Sequence, residues 1–476
     1  MKPGWTRTTE ALATPKDSWT GVWLRPRRLL IAAGVFHLVV TISIYGLGRY
    51  SALPGTFDHN GIAISFAPDG VQHLEEAVNL SDGLAGGQIR DWLAAASPFH
   101  LKLYSICFAF LRPWVGSNIL SAEPLNVLCY LTVLVLIFKV AQEIFNPDAG
   151  LIAAATVALW PSFLLHTTQL LKDPLFVVGM LAFIFVNLRL LSRNFSWQKA
   201  LMTGAGGGLI AVFLWLARDS MGELPIAAVA LGAAMLIVRQ FWEKHFQAAN
   251  LVAMALLIMV SVGVTRVVPE FQKPDAPWVG SEKTRQDSVS TAAAQAAEFK
   301  SSETLPLNPW SRIVARVGKV RQRFAVQYPD ATSNIDQNVQ LTSTGDLIRY
   351  LPRAAAIGFL APFPNMWLAT GMQVGSAGRL ISGLETMAMY VVEALAIVAL
   401  WRDRPWRRKV SVCFLWLVAA MGMISLGLVV VNVGALYRLR YVFWILLIIL
   451  ATGEAAQILD WRKRKRSAGS GLVANT

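Results

Sequence analysis

The chain has 476 residues, of which 55% are hydrophobic and 15% charged, and its mean hydropathy is +0.48. A charged fraction well below the roughly 25% of soluble domains excludes an ordinary water-soluble enzyme. Lys and Arg number 43 against 29 Asp and Glu, and in so apolar a chain that excess marks one face of a membrane rather than a nucleic-acid partner.

Apolar runs of about 20 residues, each enough to cross a bilayer, recur from Leu29 almost to the C-terminus. The first, Leu29 to Gly48, follows Arg25, Arg27 and Arg28, is too long for a signal-peptide core, and is followed by no small-residue cleavage site. It reads as an uncleaved span with the N-terminus inside. The next segment, 50–98, carries Asp58, Asp69, Glu75, Glu76, Asp82 and Asp91 against the single Arg90, an acidic outer loop. Within it Ala67-Pro-Asp-Gly opens a helix whose apolar positions are Val71, Leu74, Ala77, Val78 and Leu84. Asp69 stands at that N-terminus, where an Asp commonly caps but where a carboxylate also suits proton abstraction from a sugar hydroxyl. His73, in the same helix, reads equally as an interfacial side chain.

Phe99 to Trp114 is shorter than a span and carries Lys102 and Arg112, so it predicts an interfacial or re-entrant helix. Spans are then expected at 124–141, 150–168, 175–192, 201–217, 224–239 and 249–267. The basic clusters at Arg189, Arg193 and Lys199 and at Arg239 and Lys244 fall between them on the cytoplasmic side. That leaves Lys172-Asp173 and Arg218-Asp219 at outer ends, each either a loop salt bridge or part of a site.

A second outer segment, 268–348, is rich in small polar residues, and Ser290 to Ser302 reads as a connector or weak helix. Arg312, Arg316, Lys319 and Arg323 alternate there with Ile313, Val314, Val317, Val320 and Phe324, a basic amphipathic helix suited to a lipid surface. Leu351 to Thr370 is interrupted by Pro362 and Pro364 and reads as re-entrant; paired crossings here and at 99–114 would also preserve parity. The last spans are expected at 380–400, 410–431 and 441–458, with Arg402 to Lys409 and Arg462 to Arg466 inside. Glu385 and Glu393 share one face of the first of these, as a buried polar contact or an ion site. Arg438 and Arg440 reach the outer side against the charge bias, where a guanidinium fork either suits a specific phosphate or snorkels to lipid headgroups. The three cysteines, Cys107, Cys129 and Cys413, lie in apolar stretches without disulfide or zinc spacing.

The order of these motifs resembles the GT-C superfamily of membrane glycosyltransferases, and within it the protein O-mannosyltransferase and aminoarabinose-transferase type. The residues that carry the resemblance are Pro68-Asp-Gly with Ala77, Ser97-Pro-Phe, Phe145, Trp160-Pro-Ser and Lys172-Asp-Pro, and further on Leu351-Pro-Arg, Ala361-Pro-Phe-Pro and Asn432 to Arg440. It is clearest over about residues 29–240. The resemblance implies an all-α polytopic membrane protein, a GT-C-like bundle of about 10–12 transmembrane helices with outer-face juxtamembrane helices and loops. The expected organisation is a cytoplasmic segment 1–28, an N-terminal transmembrane module 29–267, an outer region 268–348, a C-terminal module 349–461 and a basic cytoplasmic tail 462–476.

It further implies a donor sugar on polyprenyl phosphate and a saccharide or glycolipid acceptor on the outer side of a bacterial inner membrane, in surface polysaccharide or glycolipid synthesis. Asp69 and Asp173 match the acidic catalytic positions. Arg438, Arg440 and Lys172 match groups that hold lipid phosphate, with His73, Glu76, Arg218, Asp219 and Tyr437 completing the substrate-binding set. His73 stands where the family often has Tyr, and no acidic pair accompanies Asp69, so a divalent cation is possible but not indicated. A polymerase or ligase acting on lipid-pyrophosphate oligosaccharide, and a lipid-linked sugar transporter, are the alternative functions.

Overall fold

A computed structural model of the chain describes residues 26–52, 68–218, 221–267, 309–327, 333–368, 375–402 and 405–473. Helix α1 (Pro26–Arg49) is followed by α2 (Pro68–Ala85), α3 (Ile89–Ala94), α4 (Phe99–Val115), α5 (Ile119–Ile144), α6 (Pro147–Ala158), α7 (Pro161–Thr167) and α8 (Asp173–Ser192). Then come α9 (Trp197–Ala217), α10 (Glu223–Glu243), α11 (Ala248–Val267), α12 (Pro309–Gln327) and α13 (Thr344–Leu360). The chain ends with α14 (Gly375–Trp401), α15 (Trp406–Val429), α16 (Val433–Leu439) and α17 (Tyr441–Val473). Among the described residues strand-like pairing is confined to one bridge, Asn334 to Asn432. The protein is an all-α, multi-pass membrane protein.

Among the described residues nine helices are long and apolar enough to cross a membrane: α1, α5, α8, α9, α10, α11, α14, α15 and α17. The span expected over 150–168 is not one straight helix. It breaks into α6 and α7, bent by 68°, because Pro161 has no N–H to continue the ladder and holds Trp160 in an extended conformation, with φ −75° and ψ 111°. Helix α4 coincides with one piece the sequence sets apart from full spans, whereas the other, expected over 351–370, is divided: α13 starts earlier, at Thr344, and ends at Leu360, before Pro362 and Pro364. The connector at 290–302 lies outside the described residues.

The core gathers on α5, α6, α8, α15 and α17. The first ten residues of α17, Tyr441 to Leu450, are apolar all round, the pattern of a central rather than an edge helix, and every one of them is buried. Helices α13 and α15 meet backbone to backbone at Gly358 and Gly427, where a Cβ would strike the Met423 and Ala354 carbonyls; small residues allow such an approach in a membrane bundle. Helix α12 departs from expectation. Its apolar stripe faces protein rather than lipid, with Val314 buried and Val317 and Phe324 packed on the main core, while Arg312, Arg316, Lys319 and Arg323 remain exposed.

One polar network lies deep in the bundle. His37 of α1 hydrogen-bonds Glu123 of α5 at 2.8 Å and Thr167 of α7 at 3.1 Å, and Thr41 donates to the second Glu123 oxygen at 3.0 Å. All four are buried. Each supplies a partner that hydrocarbon would not, so the network fixes α1 against the helices that carry the site.

Candidate active site

Helix α8 starts at Asp173 with Pro174 in its first turn, where a missing N–H costs nothing and an acidic group meets the positive end of the helix dipole. Helix α9 runs back beside α8, so its C-cap, Arg218, arrives next to that start. Arg218 donates to Asp173 Oδ1 in a short hydrogen bond, and Arg438, in the last turn of α16, stands 3.8 Å from Asp173 Oδ2. Each carboxylate oxygen of Asp173 therefore faces its own guanidinium. The carboxylate is buried, and the two arginines are only slightly exposed.

Three further elements complete the surroundings. The 168–172 loop is held by its carbonyls: Tyr104 of α4 donates to Leu171 O at 3.2 Å and to Asn126 at 2.8 Å, and His73 of α2 donates through Nδ1 to Leu170 O at 2.8 Å. The His73 ring meets His100 of α4 edge-on at 4.8 Å. Burial, and after it the positive charges of His73, Lys172 and Arg218, hold His100 well below its ordinary pKa of 6.5, so it is neutral at pH 7. His100 Nε2 and Arg218 Nε are buried and have no hydrogen-bond partner among the described residues. Arg218, Arg438 and Lys172 gather at Asp173 beside two buried nitrogens with unfilled hydrogen-bonding capacity, a donor set suited to an anion.

Arg438 and Arg440 do not share partners. Arg440 is fully buried, gives one hydrogen bond to Gly358 O at 3.2 Å, and lies over the rings of Trp444, at 3.9 Å, and Tyr437, at 5.0 Å. Tyr437 in turn donates a short hydrogen bond to Glu385. The other Glu385 oxygen accepts from Ser162 N at 2.7 Å, satisfying an orphan N–H in the first turn of α7. Of the two readings open for Glu385, the structure bears the buried polar contact. His166, on the same short helix, lies 2.8 Å from the Tyr441 hydroxyl.

Lys172 and Asp173 do not pair with each other across the loop; Asp173 turns to Arg218 and Arg438 instead. Glu76 is half-buried on α2, the helix that carries His73. Helix α2 begins at Pro68, which puts Asp69 inside the first turn rather than at the cap; its side chain lies outside the described residues, as does Asp219. Among the described residues no three His, Cys, Asp or Glu side chains cluster as metal ligands would. Sequence reasoning missed His100 and Tyr104. The available signal was their position in the helix opened by Ser97-Pro-Phe, where Lys102 and Arg112 drew the reading toward an interfacial role.

Residues 105–264 match the family described as Dolichyl-phosphate-mannose-protein mannosyltransferase. Over that segment the chain is similar to membrane glycosyltransferases of this family. The matched segment contains Tyr104's neighbours on α4, the 168–172 loop, Asp173 and Arg218, while His73, His100 and Arg438 lie outside it. No curated protein matches the chain. Among solved structures, the archaeal oligosaccharyltransferase AglB from Archaeoglobus fulgidus, in complex with an inhibitory peptide and a dolichol-phosphate, is similar at 11% identity and a TM-score of 0.49. That likeness covers 95% of this chain and 52% of the other, so the chain spans about half the length of AglB.

Proposed function

We propose that the protein transfers a sugar from a polyprenyl-phosphate donor to a saccharide or glycolipid acceptor on the outer, periplasmic side of a bacterial inner membrane, in polysaccharide or glycolipid synthesis. The observation that carries this reading is Asp173 clamped between Arg218 and Arg438 beside Lys172, a buried and electropositive cluster. The partner groups are those a lipid phosphate requires. Arg438 and Arg218 offer planar forks to its oxygens and Lys172 adds a point charge, while Asp173 keeps the two guanidinium groups apart and aimed.

The step is a single displacement with inversion. The acceptor oxygen attacks the anomeric carbon, the bond from that carbon to the phosphate oxygen breaks with its electrons going to the lipid phosphate, and the acceptor proton passes to a carboxylate, which we assign to Asp69. Phosphate is a stable leaving group, so charge stabilisation and positioning supply most of the acceleration. Arg440, sealed beneath Tyr437 and Trp444, supports the α16 end from within.

The test is reconstitution of the full-length protein in vesicles with a panel of radiolabelled polyprenyl-phosphate monosaccharides and membrane extract as the acceptor source. One donor should be consumed with release of polyprenyl phosphate, and Arg438→Gln should slow this by about 10²–10³-fold. Consumption of lipid-pyrophosphate oligosaccharide alone replaces the reading with a polymerase or ligase; movement of an intact lipid-linked sugar across the bilayer replaces it with transport.

A further inference from the structure

Helix α4 opens beside the Asp173 cluster and places one side chain there that the transfer reading leaves without a task. His100 stands in its first turn and is buried, 1% exposed. The start of the helix is fixed on two sides. Phe99 meets Phe213 of α9 edge-on at 6.0 Å, and Trp92 of α3 donates through Nε1 to Ser105 at 2.8 Å. One turn further along the same face, Tyr104 ties α4 to the loop that leads into Asp173 through the Leu171 carbonyl. The imidazole is therefore rigidly held, edge-on to His73 at 4.8 Å and within electrostatic reach of Lys172 and Arg218.

His100 Nε2 is buried and has no hydrogen-bond partner among the described residues. His37 shows what a structural imidazole looks like in this bundle: it is also buried, and its two ring nitrogens both have partners, at 2.8 and 3.1 Å. A buried polar atom left unanswered is costly, and a ligand that answers it removes that cost. Arg218 Nε is open in the same way, so unanswered nitrogens reach the cluster from both α4 and the end of α9.

The chemistry of the ring narrows the ligand. Phosphate oxygens are met in the transfer reading by Arg218, Arg438 and Lys172, which bring charge and several donors each. His100 is held neutral at pH 7 by burial and then by the positive charges of His73, Lys172 and Arg218, so it adds no charge toward a phosphate and is a weak proton acceptor. A neutral imidazole nitrogen is answered well by a neutral group that can donate or accept, and a sugar hydroxyl does both. In a polyprenyl-phosphate donor a single ester oxygen joins sugar to phosphate, so a side chain bordering the phosphate-binding groups meets the sugar next. We propose that His100 hydrogen-bonds a hydroxyl of the donor sugar through Nε2 and so sets which sugar the protein takes. The proposal rests on the transfer reading above, but recognition of the sugar is measurable without turnover.

The experiment removes the hydroxyl and the imidazole separately and then together. Equilibrium binding to the full-length protein in nanodiscs is measured for polyprenyl phosphate, for its mannosyl, glucosyl and galactosyl esters, and for the deoxy forms of each ester. At least one ester should bind, and one of its deoxy forms should bind wild type about tenfold or more weakly, the scale of one lost hydrogen bond to a buried group. In His100→Phe, which keeps a ring of similar size, the same deoxygenation should change affinity by less than about twofold, while polyprenyl phosphate binds as it does to wild type. His100→Gln keeps a donor and an acceptor and should restore part of the discrimination, and His100→Leu gives a second reading should the Phe variant fail to fold. The proposal is overturned if no ester is distinguished from its deoxy forms, if every deoxygenation weighs the same in wild type and variant, or if His100→Phe weakens polyprenyl phosphate and its esters alike, which would assign the ring to the phosphate. Discrimination that His100→Phe removes, without consumption of any donor, would sink the transfer reading and keep the sugar contact; donor consumption with losses that simply add would do the reverse.

Discussion

Two buried polar regions of this protein carry charge at helix contacts, and they differ in how fully that charge is answered. Around His37 and Glu123 both ring nitrogens and both carboxylate oxygens have partners within 3.1 Å. Around Asp173 one carboxylate meets Arg218, Arg438 and the neighbouring Lys172, and Arg218 Nε and His100 Nε2 are left without a hydrogen bond among the described residues. A closed network holds helices together and has nothing further to bind. A network with several basic side chains and unspent hydrogen-bonding groups is stabilised by an incoming anion, because buried polar groups without partners are costly. The contrast, more than either region alone, points to the second as the working end of the molecule.

The widest separation between the regions should come from carboxylate substitutions. Asp69→Asn keeps a side chain compatible with a helix start but cannot accept a proton, and turnover should fall by about 10²–10⁴-fold with the melting temperature near wild type. Glu123→Ala should do the opposite, lowering stability by about 3–5 kcal/mol as an isolated buried partner is left behind, with the donor KM of surviving folded protein unchanged. The double change His37→Leu with Glu123→Leu should recover most of that loss. Near-normal turnover by folded Asp69→Asn moves the base to another carboxylate. Lost turnover in a stably folded Glu123 variant would bring the inner network into the mechanism.

A smaller effect separates two arginines that are neighbours in sequence. Arg438→Gln should reduce turnover by about 10²–10³-fold, the scale of one removed oxyanion donor, with Lys restoring part of it, and should leave thermal stability nearly unchanged. Arg440→Gln should reduce stability and spare donor affinity, because its guanidinium is fully buried against the Gly358 carbonyl and two aromatic rings, even though its Nε and Nη2 have no hydrogen-bond partner among the described residues. Equal loss of donor affinity in both variants would merge the two arginines into one site.

The bilayer scale made most of the fold readable from the chain: a run of about 20 apolar residues has few other uses, and α1, α8, α9, α11 and α17 begin or end near where the runs do. The bend between α6 and α7 was harder, since hydrophobic length continued across Trp160-Pro161 while the local rule against helix before proline pointed to a break. At the site, charge placed against the membrane bias exposed Lys172, Asp173, Arg218 and Arg438. The pairing among them was not legible, because Asp173 and Arg218 are 45 residues apart and meet only through the antiparallel packing of α8 on α9. Grouping Arg438 with Arg440 overlooked helix geometry: residues two apart do not face the same way.

The smallest effect belongs to the ion pair in which Arg353 of α13 meets Asp336 at 2.9 Å, and is a pH dependence. The hydrogen bond from Arg353 is the largest influence on Asp336 and holds its pKa below the ordinary 3.8, with Tyr350 adding to it and burial opposing it. A carboxyl depressed in the folded state contributes stability above its unfolded pKa and loses it as pH falls through the folded value. The Asp336–Arg353 pair should therefore support the 333–343 segment fully near neutral pH and progressively less below about pH 4. Because the pair is partly exposed, solvent screening limits its worth to roughly 1 kcal/mol or less. Thermal unfolding of wild type and Asp336→Asn should differ slightly at about pH 6 and converge at about pH 3. A gap between the two proteins that widens in acid would mean that Asp336 is held in its protonated form and is not the ionised partner of Arg353.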